Sequence, residues 1–514
     1  MSFYSNTQFE KEKYSKLFIV LLLFFLVLHL LNFALSRMYP FVDLSFHLAA
    51  ATIYRHFGEA TNQFDQFYYL DTFLKPNTFH MWFCSLPVFP SVEAGNKVYY
   101  VLYSLLLPLS VFLFIKEIGG RIWFTLLSFT LLYSYSVVFG FTGYTLAIPT
   151  IIFILLLQLK SLEHPTFLNK ILISGLLLVL FFLHALVTLF CIGIIVLSSV
   201  LLNVKSLKKI ILHLLVVLPV LILIGYWWTT SQGGTNTGDF IKEYYSGEFF
   251  STFISRINIL YLDNIFIFKG VAGNLVGLLF SGIIYGSLLL ALYINKGKIL
   301  LSIQDPKAAF LWIFFICAVL AHFILPPRLP EQEILYERFS VFAGISALLL
   351  SSYYWGFINA YNIKPVIAIA TTIHLILWVH FFYSFAQENK YFTEEIFPDN
   401  TKGVRLAGLI KDYHFRRAQC YIMFPDYYIT WKKGIEATSL IDYRFGAIRR
   451  KVSTDVLPKF DHWLVKKGTY NNEYNQMEYI LTKGELPNVY TDALQGYRIE
   501  KKSGPYILYK KSSF

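Results

Sequence analysis

The sequence predicts an all-α polytopic membrane bundle with a small α/β domain at its C-terminal end. Three observations lead there. Of 514 residues, 56% are hydrophobic and 15% charged, with a mean hydropathy of +0.53, a balance far too apolar for a water-soluble domain of this length. Apolar runs of membrane-crossing length recur along the first three quarters of the chain. After residue 386 those runs stop and Lys, Arg, Asp and Glu become frequent.

With a window of about nineteen residues, the apolar segments fall at 17–36, 97–115, 122–140, 143–160, 170–185, 187–204, 209–228, 271–294, 308–326, 338–356 and 364–385, about eleven transmembrane helices. The pair around His184 reads as one span or two. The first run has no small-residue cleavage site and is expected to stay as a helix. A cytoplasmic N-terminus puts Lys11, Lys13 and Lys16, Lys116 and Arg121, Lys160 and Lys170, Lys205 to Lys209, Lys296 and Lys298, and Lys364 in short inner loops, as the basic bias of such loops requires. Topology thus accounts for the formal charge of +12. No basic run with interleaved aromatics points to a nucleic acid partner. Cys84, Cys191, Cys317 and Cys420 are scattered without metal-ligand spacing.

In this orientation the long polar stretches 37–96, 229–270, 327–337 and 386–514 emerge on the extracytoplasmic face, where the chemistry is expected. The chain divides into a transmembrane module, 1–385, with an outer loop at 37–96, and a soluble extracytoplasmic domain, 386–514, of a size suited to one core. In the latter, GVRLAGLIKDYHF has helical periodicity, RAQCYIMFP and MEYILTK read as strands, and YRIEKKSGPYILYKK reads as two strands about a turn. No N-x-S/T sequon occurs, which favours a bacterial inner membrane.

The candidate site begins in VDLSFHLAAATIYRHFG, residues 42–58. Its apolar positions leave Asp43, His47 and Arg55 on other parts of a short interfacial helix stopped by Gly58. Asp43 and His47 lie one turn apart. A carboxylate with an imidazole beside it can take a proton from a hydroxyl or help hold a metal ion. On spacing alone, a helix cap and an interfacial polar residue is the stronger reading. The same loop holds Glu59, Asp65, Asp71 and His80 among aromatics that suit a second interfacial segment. LPPRLPEQEILYERF brings Arg328 and Arg338, with Glu331, Glu333 and Glu337, to the bundle rim. Arginine holds phosphate by forked hydrogen bonds, and Arg338 begins a span, where an ionisable group needs a reason. FGFTGYTLAIP, with Tyr144, turns between two spans, and FFLHALVTLF places His184 at a span end.

The order of these parts resembles the GT-C superfamily of membrane glycosyltransferases: one span, a large outer loop opening with an Asp on a juxtamembrane helix, a bundle, then a soluble outer domain. VDLSFHLAAATIYRHFG resembles the loop opening of many bacterial members, and GFTGYTLAIP their turn between the third and fourth spans. The resemblance implies a polyprenyl-phosphate-linked sugar donor, two interfacial helices and Asp43 as catalytic base. Many members follow that Asp with an acidic residue, whereas Leu44 follows it here, so a divalent metal (Mg or Mn) is left open. A second carboxylate is unassigned among Glu59, Asp65 and Asp71.

The expected function is inverting glycosyl transfer from a polyprenyl-phosphate donor to a glycan, lipid or protein acceptor. Arg338 and Arg328 would hold the donor phosphate. Asp43 would act as base with His47 orienting it, and Glu59, Asp65, Asp71, His80, Tyr144 and His184 are candidates for acceptor contact or support. The rival readings are a transporter or flippase of a lipid-linked saccharide and a non-catalytic envelope assembly protein.

Overall fold

The computed structural model describes residues 15–71, 73–230, 262–297, 299–329, 332–358, 362–399, 403–437, 446–451, 477–484 and 494–512, with isolated positions between 242 and 260. Lys11, Lys13, Lys298 and Glu331 lie outside them. Eight described helices are long and apolar enough to cross a membrane: Lys16–Leu35, Val92–Ile118, Thr142–Glu163, Ala185–Leu202, Leu207–Thr230, Gly270–Ile294, Pro306–Ile324 and Lys364–Glu388. Phe167–Leu183 is a shorter apolar helix. His184, with φ −162° and ψ 111°, separates it from Ala185–Leu202, so the segments around that residue are two helices.

The remaining two expected segments take other forms. Ile122–Leu131 is a buried 3-10 helix, followed by a single turn at Tyr135–Val138. Ser128 Oγ donates to Thr125 O at 2.6 Å and Thr130 Oγ1 to Leu127 O at 2.7 Å. Hydroxyls that take carbonyls three residues back compete with the α-helical pattern. Ser340–Trp355 is a 16-residue helix buried at every position, the mark of a central element. Small side chains let its neighbours approach: a Cβ at Gly120 would lie 2.3 Å from Ser352 Oγ, and the Arg121 amide donates to Ser352 O at 3.0 Å.

By contacts the described chain forms two compact units. The first comprises Met1–Asn32, Val101–Val137 and Tyr144–Val379. Inside it a polar network links helices across an apolar interior. Tyr133 OH lies 2.9 Å from His29 Nδ1 and accepts from Asn32 Nδ2 at 3.1 Å. Asn264 Oδ1 accepts from His374 Nε2 at 2.6 Å and Trp378 Nε1 at 2.7 Å. Such bonds satisfy groups that lipid could not.

The second unit comprises Phe33–Tyr100, Val138–Gly143 and His380–Phe514. Helices Leu44–Arg55 and Phe79–Cys84 come from the first loop. A five-stranded mixed sheet has the order Ile435–Glu436, Arg405–Ile410, Tyr479–Lys483, Tyr506–Lys511, Tyr497–Ser503; the first three run parallel and the last two add antiparallel. Tyr68–Leu70 pairs antiparallel with Ile448–Arg450.

Two local expectations are corrected here. The helical periodicity read in GVRLAGLIKDYHF is a strand, Arg405–Ile410, buried along nearly its whole length. A strand flanked by neighbours on both sides shows a continuous apolar run that period alone cannot tell from a helix turn. The strand read in RAQCYIMFP is a 3-10 helix, Cys420–Asp426; Pro425 has no amide to give a ladder. The strands read in MEYILTK and about the Ser-Gly-Pro turn are found, at Tyr479–Lys483, Tyr497–Ser503 and Tyr506–Lys511.

Candidate active site

In the second unit several of the candidate residues lie on and near helix Leu44–Arg55. Asp43 occupies its N-cap position, yet the side chain makes no capping hydrogen bond. Backbone hydrogen bonds fix the chain at Asp43. The Val42 amide donates to Val138 O and the Asp43 amide to Phe139 O, each at 3.1 Å. Gly140, at φ +90°, follows directly, and a Cβ there would meet the Asp43 amide nitrogen at 2.5 Å. Only glycine combines that left-handed conformation with so close an approach. The two segments that carried the family resemblance, VDLSFHLAAATIYRHFG and GFTGYTLAIP, therefore touch at the half-buried Asp43.

His47 lies one turn on, and its ring meets the His80 ring with centroids 5.9 Å apart. His80 is buried; its Nε2 lies 2.9 Å from Asn96 Oδ1 and 3.4 Å from Cys84 Sγ, and its ring stands edge-on to Tyr99. Burial, with the nearby His80, lowers His47 to about 3. Burial lowers His80 to about 4 against the opposing effect of its Asn96 bond. Both rings are neutral near pH 7.

Two of the three loop carboxylates are engaged elsewhere. Glu59 binds His56 at 2.7 Å and Lys433 at 3.5 Å, and the His56 bond chiefly holds it below its ordinary range. Asp71 pairs with Lys75 and lies 3.8 Å from Arg449 Nε. Asp65 is exposed in the short helix Phe64–Phe67, and its carbonyl accepts from Lys451. Among the described residues no group of three His, Cys, Asp or Glu side chains is arranged to hold a metal ion.

In the first unit, three residues singled out separately in the sequence meet. Arg338 Nη1 lies 3.1 Å from His184 Nε2, while its Nε donates to Ile334 O at 2.8 Å. The Tyr144 hydroxyl donates to Arg338 O, and the Tyr144 ring stands edge-on to His184 at 5.0 Å. A guanidinium only donates, so His184 Nε2 is the acceptor and the proton of the neutral ring sits on Nδ1. The 3.5 Å approach of the Val187 amide to Nδ1 is then a contact and not a hydrogen bond. Arg328 is exposed, in a two-stranded ribbon with Arg328 opposite Glu333.

Two buried groups in this unit do not stand out in the sequence. Arg256 is fully buried: its Nη1 serves the carbonyls of Leu325 at 2.6 Å, His322 at 3.0 Å and Phe323 at 3.2 Å, its Nη2 donates to the Tyr244 hydroxyl, and it lies over the Tyr336 ring at 4.1 Å. It thus satisfies the orphan carbonyls at the end of helix Pro306–Ile324. Asp263 is buried, accepts from the Tyr135 amide at 2.8 Å and is pushed up to about 6 by burial. The available signal was that Arg256 is the sole arginine in the loop 229–270.

No family model matches the chain, and no curated protein does. Its fold matches the crystal structure of ArnT from Cupriavidus metallidurans bound to undecaprenyl phosphate, with a TM-score of 0.55 over 96% of this chain and 97% of that one, at 11% identity. The chain shares that fold. The many-helix membrane bundle and the small strand-containing C-terminal region expected from the order of parts are the architecture found.

Proposed function

We propose that the protein is a membrane glycosyltransferase that moves a sugar, with inversion, from a polyprenyl-phosphate donor to a glycan, lipid or protein acceptor on the outer face of a bacterial inner membrane. In this reading the N-terminus is cytoplasmic and the C-terminal region extracytoplasmic. The observation that carries it is the fold match over nearly the whole chain to a protein bound to undecaprenyl phosphate, joined to an Asp43 whose carboxylate is not used as a helix cap.

Asp43 takes the proton of the acceptor hydroxyl as its oxygen attacks the anomeric carbon. The bond from that carbon to the phosphate oxygen breaks and its electron pair leaves with the lipid phosphate. Neutral His47 orients the acceptor or the carboxylate. Lipid phosphate is a good leaving group, so charge compensation by Arg338, with Arg328 at the rim, matters more than a general acid. His184 and Tyr144 hold Arg338. Asp65 and His80 stay as candidates for acceptor contact, whereas Glu59 and Asp71 are tied up in ion pairs with Lys433 and Lys75. A bound Mg or Mn ion is an open addition whose effect chelation would reveal.

The test is transfer from a labelled polyprenyl-phosphate sugar in membranes carrying wild type or Asp43→Asn at equal folded levels. The variant is expected to lose transfer. Full transfer by the variant would refute Asp43 as base.

A further inference from the structure

Beside Arg338 stands a carboxylate that the proposed reaction leaves without a task. Glu337 opens the 3-10 turn Glu337–Phe339. Its Oε2 is buried and has no hydrogen-bond partner among the described residues. The Tyr336 hydroxyl hydrogen-bonds to the carboxyl, and the other groups that face it are Arg338, Arg256 and the Tyr135 phenol. The two arginines are largely committed, Arg256 to helix-end carbonyls and Arg338 to Ile334 O and His184. An orphaned buried acceptor next to a cation calls for an explanation.

Resting on the phosphate-binding reading of Arg338, we infer that Glu337 makes this site discriminate by phosphate charge, accepting the singly charged diester of the donor and expelling the doubly charged monoester of the spent lipid. The chemistry follows from what the reaction does to charge. A polyprenyl-phosphate sugar is a diester with one negative charge. The leaving lipid phosphate is a monoester whose second ionisation lies near pH 6. An arginine alone would hold the product more tightly than the substrate. A carboxylate at its side opposes the second charge and restores release. Protonated, the same carboxyl would offer an O–H to a phosphate oxygen, so retention of the monoester should depend on pH. Burial does raise Glu337, to about 7, against the opposing pull of Arg338 and Arg256, which puts the change in the working range.

The experiment measures binding of undecaprenyl phosphate and of its methyl ester, the diester probe, to the purified full-length protein in nanodiscs between pH 5.5 and 8.5. Wild type should lose monoester affinity relative to diester as pH rises through about 7. Glu337→Gln should bind the monoester about tenfold tighter at pH 8, the size of one unit of pKa, with the diester changed little and the pH slope reduced. Glu337→Asp, which keeps the charge, should keep the slope. A monoester-to-diester ratio in Glu337→Gln equal to wild type at every pH would overturn the inference and leave the phosphate site standing. If Glu337→Gln does not fold, a pH-independent ratio in wild type overturns it equally. Failure of wild type to bind either lipid, or full binding by Arg338→Gln, would remove the phosphate-site reading and this inference with it.

Discussion

Replacing Gly140 by alanine puts the assembly of the Asp43 region to a direct test. The new Cβ would lie 2.5 Å from the Asp43 amide nitrogen, 3.0 Å from that of Leu44 and 3.1 Å from Asp43 Cα, where ordinary contact begins near ~3.5 Å. The backbone at Asp43 must therefore retreat by about 1 Å. That movement loosens the two 3.1 Å bonds from Val42 and Asp43 to Val138 and Phe139, each worth about 1 kcal/mol. Holding alanine at φ +90° adds about 1–2 kcal/mol. The sum, about 3–4 kcal/mol, should lower the thermal midpoint of the purified protein. Under the proposed role of Asp43 as base, its displacement by about 1 Å should slow transfer by about a hundredfold in whatever folded protein remains. Gly175→Ala is the control: apart from its own helix backbone, no atom lies within 4 Å of its Cβ, and alanine is the better helix former there. A Gly140→Ala protein that melts and transfers sugar like wild type would refute the claim that this turn positions Asp43.

Two further outcomes bear on the buried groups. Arg256→Lys keeps the charge but cannot serve three carbonyls and the Tyr244 hydroxyl from one ammonium; losing two charged hydrogen bonds should cost about 3 kcal/mol, read as a lower denaturation midpoint, and an unchanged midpoint would show that the helix end is satisfied in another way. His80, with its folded value lowered from 6.5 to about 4, takes up its proton first in the unfolded chain. Its contribution is therefore complete above pH 6.5 and is lost as the pH falls toward 4, to a total of about 3 kcal/mol, and His47 acts in the same direction. The slope of stability against pH in that window should flatten in His80→Gln; an equal slope would mean that His80 is not neutral in the fold.

The apolar segments, the helix Leu44–Arg55 and the final strand pair were legible in the sequence because each is decided by residues close together along the chain. Transfer of an apolar run out of water, or a Ser-Gly-Pro turn between two strands, needs no distant partner. The 3-10 form of Ile122–Leu131 and the strand at Arg405–Ile410 were not legible, because which carbonyls are taken and which neighbours flank a segment is settled by the fold. The same holds for function. Asp43, Tyr144, His184 and Arg338 each stood out by residue type and position. That Tyr144, His184 and Arg338 form one hydrogen-bonded group, across separations of 154 and 194 residues, and that Gly140 presses on the Asp43 amide, depended on the tertiary structure alone. A hydrogen bond has a reach of about 3 Å, and only the folded chain decides which groups come within it.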